Sequence, residues 1–291
     1  MTEAHVVADS ISPAGDRLTT IEVTMHRFVL AELNTHRVFS RNSASSRAIP
    51  VEKQLQRIKD NPAYPVSWPC EQPGMQGGAL LEGIDLYDAQ QLYGEAQEHA
   101  VAQVEKYLEL HPHKENRLHK SVINRLLEPF MWHTVVITSS EWDNFWGLRC
   151  SPLAQPEIRV AAELMKEAYD ASLPAECQTH LPYITDDDRW EGLGWEKAAS
   201  QSLITSVARC ARVSSLHAGE AKDYAQDNRL FMTLTTADPP HSSPLEHVAF
   251  QCWYLCPNHQ GNFTGWDQLR HASPQLIEDL HRYIQRTGQQ S

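Results

Sequence analysis

Apolar and polar positions sort the chain into short strands and helices, with no single repeating period. Leu18–Met25 (LTTIEVTM) is β-branched and roughly alternating, which predicts a strand. Arg27–Asn34 reads as a short helix, and Ile49–Asp60 as another. Between them Thr35–Pro50 holds four serines and three arginines and closes on proline, so an exposed loop is expected. Residues 61–83, with four prolines and several glycines, form an irregular insertion. Asp85–Leu110 is the clearest helix: Leu86, Leu92, Tyr93, Ala96, Ala100, Val104, Tyr107 and Leu108 recur at helical spacing. Ser121–Phe130 is an apolar run broken by Asn124 and Arg125, and Thr134–Thr138 predicts a strand. Pro152 and Pro156 open a helix over Glu157–Ala171 with Ile158, Ala161, Leu164, Met165 and Ala168 inward. An acidic loop around Asp186–Asp188, a helix over Ala198–Arg209 and a strand over His247–Leu255 follow. Strands and helices mix without regular βαβ alternation, so the expected class is α+β: a mixed sheet with packed helices in a single domain. Neither GxGxxG nor GxxxxGK occurs, so a dinucleotide would have to be held by other means.

Composition narrows the partners. The 291 residues are 41% hydrophobic and 21% charged, as in an ordinary globular chain. A net charge of −12 argues against a surface for nucleic-acid polymers or anionic membranes, yet leaves room for a local basic pocket. No apolar stretch approaches the roughly 20 residues of a membrane span. The start, MTEAHVVADS, has no signal-peptide pattern, so a cytoplasmic location is expected. The cysteines at 70, 150, 177, 210, 252 and 256 form no CxxC pair and read as free thiols.

Candidate chemistry sits in four places. In His36-Arg37-x7-Ser45-Ser46-Arg47, guanidiniums, hydroxyls and free backbone N–H groups suit a phosphate or a carbonyl-rich heterocycle. Composition alone fits a solvated Ser/Arg loop equally. Asn144-Phe-Trp-Gly-Leu-Arg149-x4-Ala154-Gln155-x-Glu157-Ile-Arg159 opens a helix. Arg125 in Arg-Leu-Leu-Glu-Pro129 needs an anionic partner if buried, and Glu128 or Glu141 would serve as well as a substrate. Ala211-Arg-Val-Ser214 and His241-Ser-Ser243-Pro-Leu-Glu246-His247 stand near the C-terminus. Cys252-x3-Cys256-x2-His259 offers zinc donors but no evident fourth ligand, so no metal is expected. Cys150 beside Arg149 reads as a nucleophile or, more simply, as core filler.

These four blocks resemble those of the flavin-dependent thymidylate synthases. That family carries Arg-His-Arg-x7-Ser with another Arg two further on; here His36, Arg37, Ser45 and Arg47 match, while Thr35 replaces the first arginine and Ser43 a common glutamate. The Asn144–Arg159 segment is similar to the family's Asn-x3-Leu-Arg-x4-Ala-Gln-x-Glu-Ile-Arg without a gap, though Leu153 stands where a histidine is frequent. The Ala-Arg-Val-Ser and His-x-Ser-Pro-Leu-Glu-His segments precede the loop in the family and follow everything else here, which implies a permuted order. The resemblance marks out 1–50 as signature region, 121–172 as nucleotide and flavin block, and 198–271 as a displaced flavin-binding block.

By that resemblance, His36, Arg37, Asn144, His241, Ser243 and Glu246 bind FAD. Ser45, Ser46, Arg47 and Arg125 receive the nucleotide phosphate, and Arg149 grips and polarises the base as the catalytic arginine. Arg270 is a candidate for the guanidinium missing at Thr35. The implied reaction is methylation of dUMP to dTMP, with methylenetetrahydrofolate giving the carbon, reduced FAD the hydride and NADPH re-reducing the flavin. The implied assembly is a homotetramer with sites at subunit boundaries. Hydroxymethylation of dUMP or dCMP uses the same parts, and a non-catalytic flavin- or nucleotide-binding relative is the third reading.

Overall fold

A computed structural model describes residues 1–188, 195–213, 223–252, 261–272 and 274–288. At its centre lies a five-stranded sheet in the order β3-β4-β2-β1-β5. The strands are β1 (Glu3–Ile11), β2 (Arg17–His26), β3 (Ser40–Ser43), β4 (Trp132–Ser139) and β5 (Ala175–Glu176). All neighbours are antiparallel except β1 and β5. A second sheet joins β6 (Thr179–His180), β7 (Ala249–Gln251) and β8 (Trp266–Gln268). The helices are α1 (Leu30–Asn34), α2 (Val51–Asp60), α3 (Gly83–Leu110), α4 (Lys120–Ile123), α5 (Asp143–Arg149), α6 (Pro156–Ala171), α7 (Trp195–Ala211), α8 (Tyr224–Thr236) and α9 (Pro274–Gly288). This is the α+β class, and no described helix is long and apolar enough to cross a membrane.

The two faces of the main sheet differ chemically because side chains alternate along each strand. One face carries Ile21, Val23, Met25, Val135 and Ile137, packed against Phe145 of α5 and Ile158, Ala161, Ala162 and Met165 of α6. Each such large side chain contributes about 1.5–3 kcal/mol on burial. The opposite face is built of hydroxyls: Thr20 bonds Thr138 at 2.6 Å and Thr24 bonds Thr134 at 3.0 Å.

The C-terminal region sits over one end of this polar face. His180 bonds Ser10 and Thr20, both at 2.7 Å, and Thr138 in turn meets His247 Nδ1 at 2.8 Å. Gln268 donates to Ser40 Oγ at 2.8 Å, and Asn42 to the Cys210 carbonyl at 3.2 Å. The docking surface is polar, and its groups are largely satisfied by one another. Behind it, Leu203, Ile204 and Val207 of α7, Phe231 of α8, Leu245, Leu269 and Leu280 of α9 form a separate core. Asp188, expected in an acidic loop, is buried and takes a bidentate pair from Arg209, both bonds 2.8 Å.

Several expectations are corrected. Thr35–Pro50 is no simple exposed loop: Ser40–Ser43 pair with β4, and His36, Phe39, Ser40 and Ile49 are buried. Of the apolar face expected on α3, Val104 is buried and Tyr93 packs against Phe130, but Leu92 is 72% exposed. Within His247–Leu255 the strand spans Ala249–Gln251, and Leu255 lies outside the described residues. Cys256, His259 and Ser214 also lie outside them. Cys70, Cys150, Cys177, Cys210 and Cys252 are free thiols.

Candidate active site

The site is organised by the turn after α1. That helix spans only five residues, and its last carbonyls take short-range bonds from the Thr35 and His36 N–H groups. Two arginines add further donors. Arg41 Nη1 donates to Leu33 O at 3.1 Å and His36 O at 3.0 Å. Arg149, at the end of α5, donates from Nη2 to Glu32 O at 3.2 Å and Thr35 Oγ1 at 3.0 Å, and from Nε to His36 Nε2 at 2.9 Å. Two blocks more than a hundred residues apart in sequence (|i−j| = 113) therefore meet side chain to side chain.

The His36 ring is fixed between Phe39, stacked at 5.7 Å, and Phe145, edge-on at 4.9 Å. Burial, then the neighbouring Arg149 and Arg41 charges, push its pKa down to about 4, so the imidazole is neutral at physiological pH. Asn144 lies on the same helix as Arg149 and is exposed. The Cys150 thiol is half-buried and its pKa is raised, chiefly by that burial, which disfavours a thiolate nucleophile.

At the other end of β3, Ser45–Arg47 form a held loop. Ser45 O accepts from the backbone N–H groups of Ala48 and Ile49, and Ser45 Oγ from that of Arg47 at 3.2 Å. Asn124, fully buried, donates to Ser46 O at 2.8 Å and Ile49 O at 3.1 Å, while Lys120 Nζ reaches Ala48 O at 2.9 Å. Ser46 also lines a cavity of about 770 Å³ on the open part of the polar sheet face, together with Arg57, Asn61 and Thr134. Arg125 does have the carboxylate partner expected as an alternative: Glu128, at 2.7 Å, which also binds Arg27 at 3.1 Å.

The His241–His247 segment reaches β3 as well. Ser243–Glu246 is a 3-10 turn that packs against β3 within the same chain. Glu246 is ion-paired with Arg270, and its carbonyl accepts from Gln268 at 3.0 Å. Arg270 is thus occupied by Glu246, while Thr35 is met by Arg149. His241 and Ser243 are exposed at the entry to the turn, and no hydrogen bond or ion pair joins them to His36 or Asn144 among the described residues.

A second cleft of about 840 Å³ lies between the 61–83 insertion and the Pro152–Arg159 segment. The insertion is tied down there: Glu157, buried at 4% exposure, accepts from Val66 N at 2.9 Å. Asn124, Gln268 and Glu157 are positioning groups that sequence reading did not single out by role. Asn124 gave a signal as a polar break in an apolar run, and Glu157 as a member of the matched motif.

An α+β fold that brings Arg41, Arg149 and a buried histidine together at the turn after α1, and Ser45–Arg47 to the far end of β3, offers donors suited to anionic and carbonyl groups. A model of the family described as thymidylate synthase complementing protein matches residues 12–175, and the chain belongs to that family. It is therefore an enzyme of the thymidylate synthase type. Among solved structures it is similar to the UMP/dUMP methylase PolB from Streptomyces cacaoi bound with 5-Br UMP, at 17% identity, covering 58% of this chain and 88% of that one, with TM-score 0.47. It is also similar to the flavin dependent thymidylate synthase ThyX from Helicobacter pylori complexed with FAD and dUMP, at 17% identity, covering 52% and 67%, with TM-score 0.34. No curated protein matches the sequence.

Proposed function

We propose that this chain methylates dUMP to dTMP, using methylenetetrahydrofolate as carbon donor, reduced FAD as hydride source and NADPH to re-reduce the flavin. Family membership supports the class, and one observation carries the site: Arg149 is bonded to the Thr35–His36 turn, so two blocks matched by resemblance are one structure.

The residues present fit anionic ligands. Among the described residues the exposed guanidiniums of Arg37 and Arg47 make no ion pair. In this reading Ser45, Ser46 and Arg47, with Arg125 nearby, hold the nucleotide phosphate by backbone N–H groups and charge-assisted bonds. Arg149 binds a ring carbonyl and draws electron density from the pyrimidine, an electrostatic effect that strengthens as water is excluded. His36, Arg37, Asn144, His241, Ser243 and Glu246 form the flavin side. Bound FAD and the folate supply the redox and one-carbon chemistry; the chain supplies orientation.

The permuted order belongs to this proposal and is supported by the Glu246 turn lying on β3 and by the Gln268–Ser40 bond. So does a homotetramer with shared sites, for which exposed Ile84, Tyr87 and Leu92 on α3 offer apolar surface to bury. Leu153, exposed at the 840 Å³ cleft where the family often has a histidine, favours a second reading. In it, the one-carbon unit is left as hydroxymethyl on dUMP or dCMP. The test is binding: the purified protein should carry or take up FAD with a flavin absorption band, and Arg149→Ala should lose dUMP. A protein that binds no FAD, or an Arg149→Ala variant with unchanged dUMP affinity, would contradict the reading.

A further inference from the structure

We infer that Thr35 and His36 are positioning residues that lock Arg149 by its Nε and Nη2 edges, so that only Nη1 is offered to a ligand. The inference rests on the proposed role of Arg149 and deepens it. A guanidinium has five N–H donors in a fixed plane. Three bonds hold Arg149 inside the chain: Nε–H to His36 Nε2, and Nη2 to Glu32 O and Thr35 Oγ1. Among the described residues nothing accepts from Nη1, so its two N–H groups form the free end of a braced fork.

The directions of these bonds follow from the acceptors. Thr35 Oγ1 donates its own proton to Glu32 O at 2.7 Å, which leaves an oxygen lone pair for Arg149. His36 Nε2 must also be a lone pair, because an arginine only donates. The imidazole is therefore the neutral Nδ1–H tautomer, which agrees with its lowered pKa and with the aromatic rings that fix its plane. Arg41 completes the brace by holding the Leu33 and His36 carbonyls on the same turn.

Thr35 gives this arrangement its particular form. A cationic side chain at 35 would face the Arg149 guanidinium with like charge and no acceptor. The threonine hydroxyl accepts instead, and it is short enough to do so from the end of α1. The residue that departs from the resembled motif is then matched to the arginine it supports.

Two measurements test the brace. In the ligand-free wild-type protein, imidazole 15N shifts should show His36 as the Nδ1–H tautomer, and Arg149→Ala should move the Nε2 shift. This readout needs no nucleotide. In turnover, Thr35→Val should lower kcat/KM for the nucleotide roughly tenfold, whereas Thr35→Ser, which keeps the acceptor, should stay within about twofold of wild type. A His36 proton on Nε2, or Val and Ser variants that behave alike, would overturn the inference. If Arg149→Ala moves the imidazole shift but leaves nucleotide binding intact, the brace stands and the proposed role of Arg149 fails.

Discussion

Replacing Thr138 by valine should loosen the C-terminal region from the main sheet. The Thr138 hydroxyl sits at 0% exposure between Thr20 Oγ1 at 2.6 Å and His247 Nδ1 at 2.8 Å. Valine has nearly the same shape, so the change removes bonds without opening a cavity. His247 would lose the bond to Nδ1 while its Nε2 has no partner among the described residues, leaving a buried imidazole unsatisfied at a cost of about 1–3 kcal/mol. Thr20 keeps His180 at 2.7 Å and loses one ordinary bond, about 0.5–1.5 kcal/mol. The sum is about 1.5–4.5 kcal/mol, or roughly 5–14 °C in Tm at about 3 °C per kcal/mol for a large domain. Differential scanning calorimetry measures it, with Thr138→Ser as the control that keeps the hydroxyl. A Thr138→Val protein within about 0.5 kcal/mol of wild type would refute the idea that this hydroxyl–imidazole chain fastens the two regions.

Three further outcomes are expected. Asn124→Leu removes the donor to Ser46 O and Ile49 O, so if Ser45–Arg47 hold the phosphate as proposed, the nucleotide KM should rise well above wild type while flavin binding persists; an unchanged KM would remove Asn124 from that loop's support. Stability should fall in acid. Burial first, with neighbouring cations for His36 and with His180 for His247, holds His36 at about 4 and His180 and His247 at about 3, against an ordinary 6.5. The unfolded chain then binds more protons below about pH 6.5, so stability is complete above that value and is lost as pH drops through the window to about 3. Denaturant titrations at graded pH should show that slope, and a flat profile from pH 7 to 4 would contradict it. Cys150→Ala should retain turnover, since a half-buried thiol with a raised pKa is a poor nucleophile; abolished activity in a folded variant would restore the thiol to the mechanism.

Much of the scaffold was legible in the sequence, and the misses share a cause. The β-branched run at Leu18–Met25 and the apolar repeat of α6 gave their elements directly, because one face of each is apolar and buried. Ser40–Ser43 was hidden because its strand buries hydroxyl and amide groups that find partners on Gln268 and Cys210, a pattern that composition reads as a loop. β1, with Glu3, His5 and Asp9, was hidden similarly: its polar side chains pair across the sheet, His5 with Glu22 and Asp9 with Arg17. In α3 the apolar repeat was real, but burial requires a facing partner, and within this chain only Val101 and Val104 are fully covered. At the site, motif spacing located Arg149 and the His36 turn but not their contact. Side-chain direction across the fold brings Nε to Nε2, and no linear spacing encodes that.

The reaction itself is the most direct test of the account. With dUMP, methylenetetrahydrofolate, NADPH and FAD supplied together, mass analysis of the nucleotide product should show dTMP, heavier than dUMP by one methylene, and no product when FAD is withheld. Unchanged dUMP from a folded, flavin-loaded protein, or equal product without FAD, would contradict it.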